Sequence, residues 1–237
     1  MIAQYTNFLE TESLLPVPKT GISRKILVRL FVAKCQDLQI TSSKQQMIRF
    51  IETFESVNGC GSRRLNLADM GLGDLSMKII GEIIGQNKHS QIDLSKNIFT
   101  DSGLRTFVDA VASSHTIMSI TLNANSITCE GAVYLFQSLQ KNQTLTHLEL
   151  ANPDCLANKI KLGNRGAQSF SDYLRSSNCL LSIIDLAGAQ LTSEAMMTVF
   201  GGITLCRSLV SLNLSSNNIG QQPSAFEKLI TILGPSF

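Results

Sequence analysis

Apolar positions recur along this chain with two alternating spacings. Short stretches with apolar residues two apart are followed by longer ones with apolar residues three and four apart. The first spacing places side chains on one face of a strand and the second on one face of a helix. The strand-like stretches are copies of one pattern: Ile92-x-Leu94-x-x-Asn97, Ile117-x-x-Ile120-x-Leu122-x-x-Asn125-x-Ile127, Leu145-x-x-Leu148-x-Leu150, Leu181-x-x-Ile184-x-Leu186-x-x-Ala189-x-Leu191 and Leu209-x-x-Leu212-x-Leu214-x-x-Asn217-x-Ile219. An earlier copy, Leu65-x-Leu67-x-x-Met70-x-Leu72, has methionine in the asparagine position. With the second residue of each apolar pair as marker, the copies fall at Leu67, Leu94, Leu122, Leu150, Leu186 and Leu214, separated by 27, 28, 28, 36 and 28 residues.

A single strand of this kind cannot bury its apolar face. The segments after it, such as Leu104, Phe107, Val108 and Val111, or Val133, Leu135, Phe136 and Leu139, have helical spacing. Stacking the copies aligns strands on one surface and helices on the other around a continuous core. The asparagine three residues past the leucine pair is placed to hydrogen-bond backbone groups in the turn that reverses the chain. Lys44 to Val57 reads as a further helix, with Met47, Ile48, Ile51 and Phe54 on one face and a cap from Ser42 or Ser43. A degenerate seventh copy is expected at Leu27-x-x-Leu30-x-Val32-x-x-Cys35. Residues 1 to 26 lie outside the period and read either as a cap over the first repeat or as a loose tail.

On these residues the chain resembles the leucine-rich repeat family, in its intracellular, ribonuclease-inhibitor-like branch of 28-residue repeats. The family pattern LxxLxLxxNxIxxxG is met nearly in full by Ile117 to Gly131 and in part by the other five copies. The resemblance implies an α/β fold, a right-handed solenoid with a concave parallel β-sheet and helices on its convex side. It divides the chain into a cap region with the degenerate first repeat, residues 1–61, and six repeats, residues 62–237.

Two departures from the period stand out. The 36-residue spacing adds eight residues to the repeat beginning at Leu145, and seven of them fall between strand and helix. This insertion, Pro153 to Lys161, includes Asp154, Lys159 and Lys161. It reads either as a tolerated surface loop or as a binding element at the edge of the array. The next repeat would begin at Phe237, so the C-terminal face is expected to be uncapped in this chain and covered by further repeats, a domain or a subunit.

Composition narrows function mainly by exclusion. The chain has 237 residues, 43% hydrophobic, and is too apolar for a disordered segment. Its 16% of charged residues lies below the roughly 25% of ordinary proteins. Twenty basic against 18 acidic residues give no reason to expect a nucleic-acid surface or polybasic membrane attachment. The N-terminal residues have neither a basic leader nor an apolar run of signal-peptide length, and no segment approaches the roughly 18 apolar residues of a membrane span. A soluble cytoplasmic protein is expected, with Cys35, Cys60, Cys129, Cys155, Cys179 and Cys206 reduced; their spacing contains no zinc motif. Phosphate-binding glycine loops, HExxH and GxSxG are absent, and His89, His115 and His147 occupy three different repeat positions. Neither an enzyme nor a bound cofactor is expected.

What remains is the outward surface of the strands. Between the paired leucines stand Asn66, Asp93, Thr121, Glu149, Asp185 and Asn213, a column with three acids and no base. The column before it contains Arg64, Gln91, Ser119, His147, Ile183 and Ser211. These positions read either as solvated sheet surface or as a mildly acidic strip suited to a basic or hydroxyl-rich protein segment. The expected function is a non-catalytic protein-interaction scaffold within a larger intracellular assembly. The alternatives are a small-GTPase regulator, since the array also resembles the repeat domain of the Ran GTPase-activating protein, or the sensor array of a larger receptor.

Overall fold

The structure, a computed structural model, describes residues 19–59, 61–86, 89–152 and 160–217. Two helices, α1 (Arg24–Asp37) and α2 (Lys44–Asn58), precede the first strand. Strand and helix then alternate: β1 (Arg64–Asn66), α3 (Asp74–Gln86), β2 (Gln91–Asp93), α4 (Asp101–Ala112), β3 (Ser119–Thr121), α5 (Cys129–Leu139), β4 (His147–Glu149), α6 (Gly163–Leu174), β5 (Ile183–Asp185), α7 (Ser193–Ile203) and β6 (Ser211–Asn213). The six strands form one open parallel sheet in chain order. Each strand turns its middle residue inward, and Leu65, Ile92, Ile120, Leu148 and Ile184 are all buried. They meet the apolar faces of the helices, including Phe107, Phe136 and Phe170, in one continuous core.

The N-terminal segment differs from the sequence expectation. Leu27-x-x-Leu30-x-Val32-x-x-Cys35 is part of α1 and contributes no strand. Its buried residues Leu27, Leu30, Phe31 and Cys35 follow three- and four-residue spacing, and no Gly, Pro or Asn within the run turns the chain back. Ser23 caps this helix, its Oγ accepting the Ile26 N–H at 3.4 Å. The helix expected from Lys44 is α2, and the capping residue is Ser43. Its hydroxyl accepts the Gln46 N–H at 3.3 Å while Gln46 Oε1 accepts the Ser43 N–H at 2.7 Å.

Repeats are tied together on the sheet side by buried asparagines. Asn97 Nδ2 donates to Leu94 O of its own repeat and Leu67 O of the preceding one, both at 2.9 Å. Its Oδ1 accepts the N–H groups of Met70 and Leu72 at 3.2 and 2.9 Å. Asn125 and Asn217 donate in the same way, to Leu94 O and Leu122 O and to Leu186 O and Leu214 O. Ahead of each asparagine one residue is left-handed, Lys96, Ala124 and Ser216 with φ of 56–57°, which swings the asparagine inward. Repeat five has Ala189 in place of asparagine, and Asn152 of the preceding repeat serves there, donating to Gly188 O at 2.7 Å.

On the helix side a second relay sets where each helix begins. Asp37, at the end of α1, accepts the Gly73, Leu75 and Ser76 N–H groups at 2.9, 2.9 and 3.0 Å. Asp74 accepts the Thr100 and Gly103 N–H groups at 2.7 and 3.0 Å, and Asp101 accepts the Thr128 N–H at 2.8 Å. Each carboxylate holds the start of the next helix, where backbone donors lack intrahelical partners. The glycine closing the repeat pattern follows from this approach, because a Cβ on Gly103 would lie 2.6 Å from Asp74 Oδ1. The relay stops at Cys129, which occupies the corresponding place in α5. The next helix, α6, starts at Gly163, and its N-cap residue Leu162 provides no side-chain cap. An exposed Glu130–Arg165 ion pair and the Phe136, Phe170 and Tyr173 rings cross this junction instead; the Phe136 and Phe170 centroids are 4.9 Å apart.

Removing a buried asparagine strands several backbone groups at once. Asn97→Ala is expected to destabilise the chain by about 3 kcal/mol in urea unfolding followed by circular dichroism. Asn125→Ala should cost less, because Asn125 Oδ1 has no partner to lose among the described residues.

Candidate functional site

Strand register brings the outward positions into two straight columns. Asn66, Asp93, Thr121, Glu149, Asp185 and Asn213 are successive partners across the sheet, as are Arg64, Gln91, Ser119, His147, Ile183 and Ser211. With strands roughly 4.8 Å apart, Glu149 and Asp185 are neighbours, and Asp93 stands two strands from Glu149. The three carboxylates therefore share one face.

These side chains also have local work. Asp93 Oδ1 accepts the Ser95 N–H at 3.1 Å and the Ser95 hydroxyl at 2.7 Å, while Oδ2 faces Arg64 Nη2 at 3.3 Å. Asp185 Oδ1 accepts the Ala187 N–H at 2.9 Å and Oδ2 accepts Asn213 Nδ2 at 3.1 Å. Glu149 Oε2 accepts Asn123 Nδ2 at 2.8 Å. Asn66 and Asn213 accept the N–H two residues on, at 3.1 Å each. Each carboxylate oxygen retains lone pairs for a further donor. The Arg64–Asp93 pair is exposed and contributes little to stability. His147 Nδ1 lies 2.7 Å from Thr146 Oγ1, with Ile183 exposed beside it on β5 and Gln91 exposed two strands away on β2.

The insertion is bracketed rather than displayed. Asp154 and Lys159 lie outside the described residues. Lys161 is exposed and donates its backbone N–H to Ile127 O at 2.8 Å. At the base of the loop, Asn152 Oδ1 accepts the Ile160 N–H at 3.1 Å and Nδ2 donates to Ile160 O at 3.0 Å.

Comparison with known proteins agrees with this geometry. A family model described as Leucine Rich repeat matches residues 205–221. Mouse NACHT, LRR and PYD domains-containing protein 4C is 28% identical over 160 residues, 67% of this chain, and pig ribonuclease inhibitor 27% over 165 residues, 69% of this chain. The chain is built of leucine-rich repeats. It spans 16% of the length of the mouse protein and 35% of the pig inhibitor. Among solved structures it is similar to leiomodin-1 actin-binding site 2, 14% identical with a TM-score of 0.44, over 72% of this chain and 78% of that one.

Elsewhere in the repeats the chemistry-bearing side chains stay apart. Among the described residues no three His, Cys, Asp or Glu side chains cluster so as to hold a metal ion. No helix among them is long and apolar enough to cross a membrane. Burial pushes the Cys179 thiol up to about 11, leaving it protonated and a poor nucleophile at neutral pH. His115 is exposed on the rim, whereas His89 is buried.

One feature near the N-terminus was not evident from the repeat pattern. A groove of about 550 Å³ runs between α1, α2 and the first repeat, lined by Phe31, Lys34, Arg49 and Phe50 on the helices and Asn66 and Asp69 on the repeat. One wall of it is α1, where the repeat pattern predicts a strand over Leu27 to Cys35. Helical spacing at Leu27, Leu30, Phe31 and Cys35 was the available signal.

His89 yields a pH dependence. Burial lowers its pKa, and its Nδ1 has no hydrogen-bond partner among the described residues. The folded state therefore favours the neutral ring. Stability should hold above the unfolded histidine value of about 6.5 and fall as pH drops below it. Thermal melts between about pH 7.5 and about pH 5 should show His89→Phe losing less melting temperature on acidification than the unmodified chain.

Proposed function

We propose that this chain is a non-catalytic protein-interaction scaffold acting within a larger intracellular assembly, with the acidic column of the concave sheet as its recognition surface. The reading rests on the register that lines up Asp93, Glu149 and Asp185 on one open face, with Arg64 the one cation in the two columns beside His147. A partner segment rich in Lys or Arg, laid across the strands, meets an acceptor on β2, β4 and β5 in turn. Charge of this kind raises association rate and selects partners more than it adds affinity. Asn66, Gln91, Thr121 and Asn213 flank the acids as neutral hydrogen-bonding positions, and the inserted segment with Asp154, Lys159 and Lys161 is the second candidate for recognition.

A second, compatible reading follows from the relatives. Similarity to the NACHT, LRR and PYD domains-containing proteins, over a small share of their length, supports a repeat portion that serves a larger multidomain protein as its sensing surface.

Affinity capture from native lysate, quantified by mass spectrometry, tests the concave assignment. A partner retained by the unmodified chain should fall at least about tenfold with Asp93→Asn, Glu149→Gln and Asp185→Asn combined, since these changes remove charge and keep shape. Undiminished capture by this variant would overturn the concave assignment. Loss instead on shortening residues 153–161 would place recognition in the insertion.

A further inference from the structure

We propose that the groove between α2 and the first repeat is a second docking site, one that receives an acidic peptide segment of another protein with large apolar side chains. Its charge is opposite to that of the concave column. Two cations, Lys34 and Arg49, line it against one acid, Asp69. Neither cation forms an ion pair with a carboxylate among the described residues, where Arg29, Arg64 and Arg165 do. Lys34 is half-buried, with its ammonium 5.2 Å from the centre of the Phe50 ring. Burial lowers the pKa of Lys34, consistent with a cation that has lost water without gaining an anion. A carboxylate entering beside Phe50 would supply that anion.

The apolar part of the match comes from the same walls. Phe31 and Phe50 pack with ring centres 5.4 Å apart. Ile40 and Val57, which also line the groove, are 47% and 52% exposed. The α2 stripe from Gln46 to Val57 extends about 16 Å, which matches about five residues of extended peptide. An acidic segment with alternating apolar side chains fits both the cations and this floor.

Fluorescence anisotropy on the full chain tests the site, with a labelled peptide of about twelve residues in which Glu alternates with Leu and Phe. Its counterpart with Lys in place of Glu is the charge control. The Glu peptide should bind, and binding should weaken between about 50 and about 300 mM salt. Arg49→Glu, a change at an exposed position, should weaken it at least about tenfold, and Lys34→Gln should also weaken it. The concave triple variant should bind it like the unmodified chain. Equal binding of both peptides, binding of neither, or indifference to Arg49→Glu would overturn the proposal. So would at least about tenfold tighter binding by a chain with Glu10→Lys and Glu12→Lys. That result would identify residues 1–18, which contain these two acids and no Lys or Arg, as the groove's own occupant.

Discussion

The array depends on asparagine side chains that take the place of backbone partners where the chain turns from strand to helix. A turn buried beneath a neighbouring repeat exposes carbonyls and N–H groups that no sheet or helix can satisfy, and each one left unpaired is costly. Asn97 answers five such groups from two repeats, with donors and acceptors on one planar amide. Sheet register follows from this. The same side chain that closes its own turn fixes the previous one, so a slip of one residue would unpair both.

The helix side solves an equivalent problem with carboxylates, and its one interruption is informative. Asp37, Asp74 and Asp101 each hold the helix start of the following repeat, and Cys129 cannot. The insertion enters the very next connection, ahead of an α6 that begins without a side-chain cap. Here no carboxylate of the preceding helix caps the next helix start, and the insertion lies between Asn152 and Ile160, whose mutual hydrogen bonds close its base. Aromatic packing of Phe136 with Phe170 and Tyr173 then carries the junction.

Most of this architecture was legible in the sequence because its period exceeds chance and every copy answers the same burial requirement. Six leucine pairs gave six strands, and Asn97, Asn125 and Asn217 stood in advance as turn-closing residues. The N-terminal helix was misread because Leu27, Leu30, Val32 and Cys35 satisfy the strand template by coincidence, while Phe31 within it belongs to helical spacing. The relay through Asp37, Asp74 and Asp101 was not read, since a side chain that serves the following repeat leaves no mark within its own. The acidic column was legible as a list, but the bonds of Asp93 to Ser95 and of Asp185 to Ala187 depend on side-chain directions that spacing does not specify. The groove at α2 depends on how two helices close against the first repeat, and the period has no information on that.

The interruption at Cys129 also bears on mechanics. Hydrogen bonds resist rotation because they have preferred angles, whereas ring contacts and an exposed ion pair tolerate small changes in direction. The α5–α6 junction relies on ring packing and an exposed ion pair where the preceding junctions have a carboxylate capping the next helix. A partner spanning the sheet from β2 to β5 crosses that joint. With a cysteine standing where an aspartate would have capped the next helix, that joint is left to ring packing, one ion pair and the backbone bond from Lys161 to Ile127.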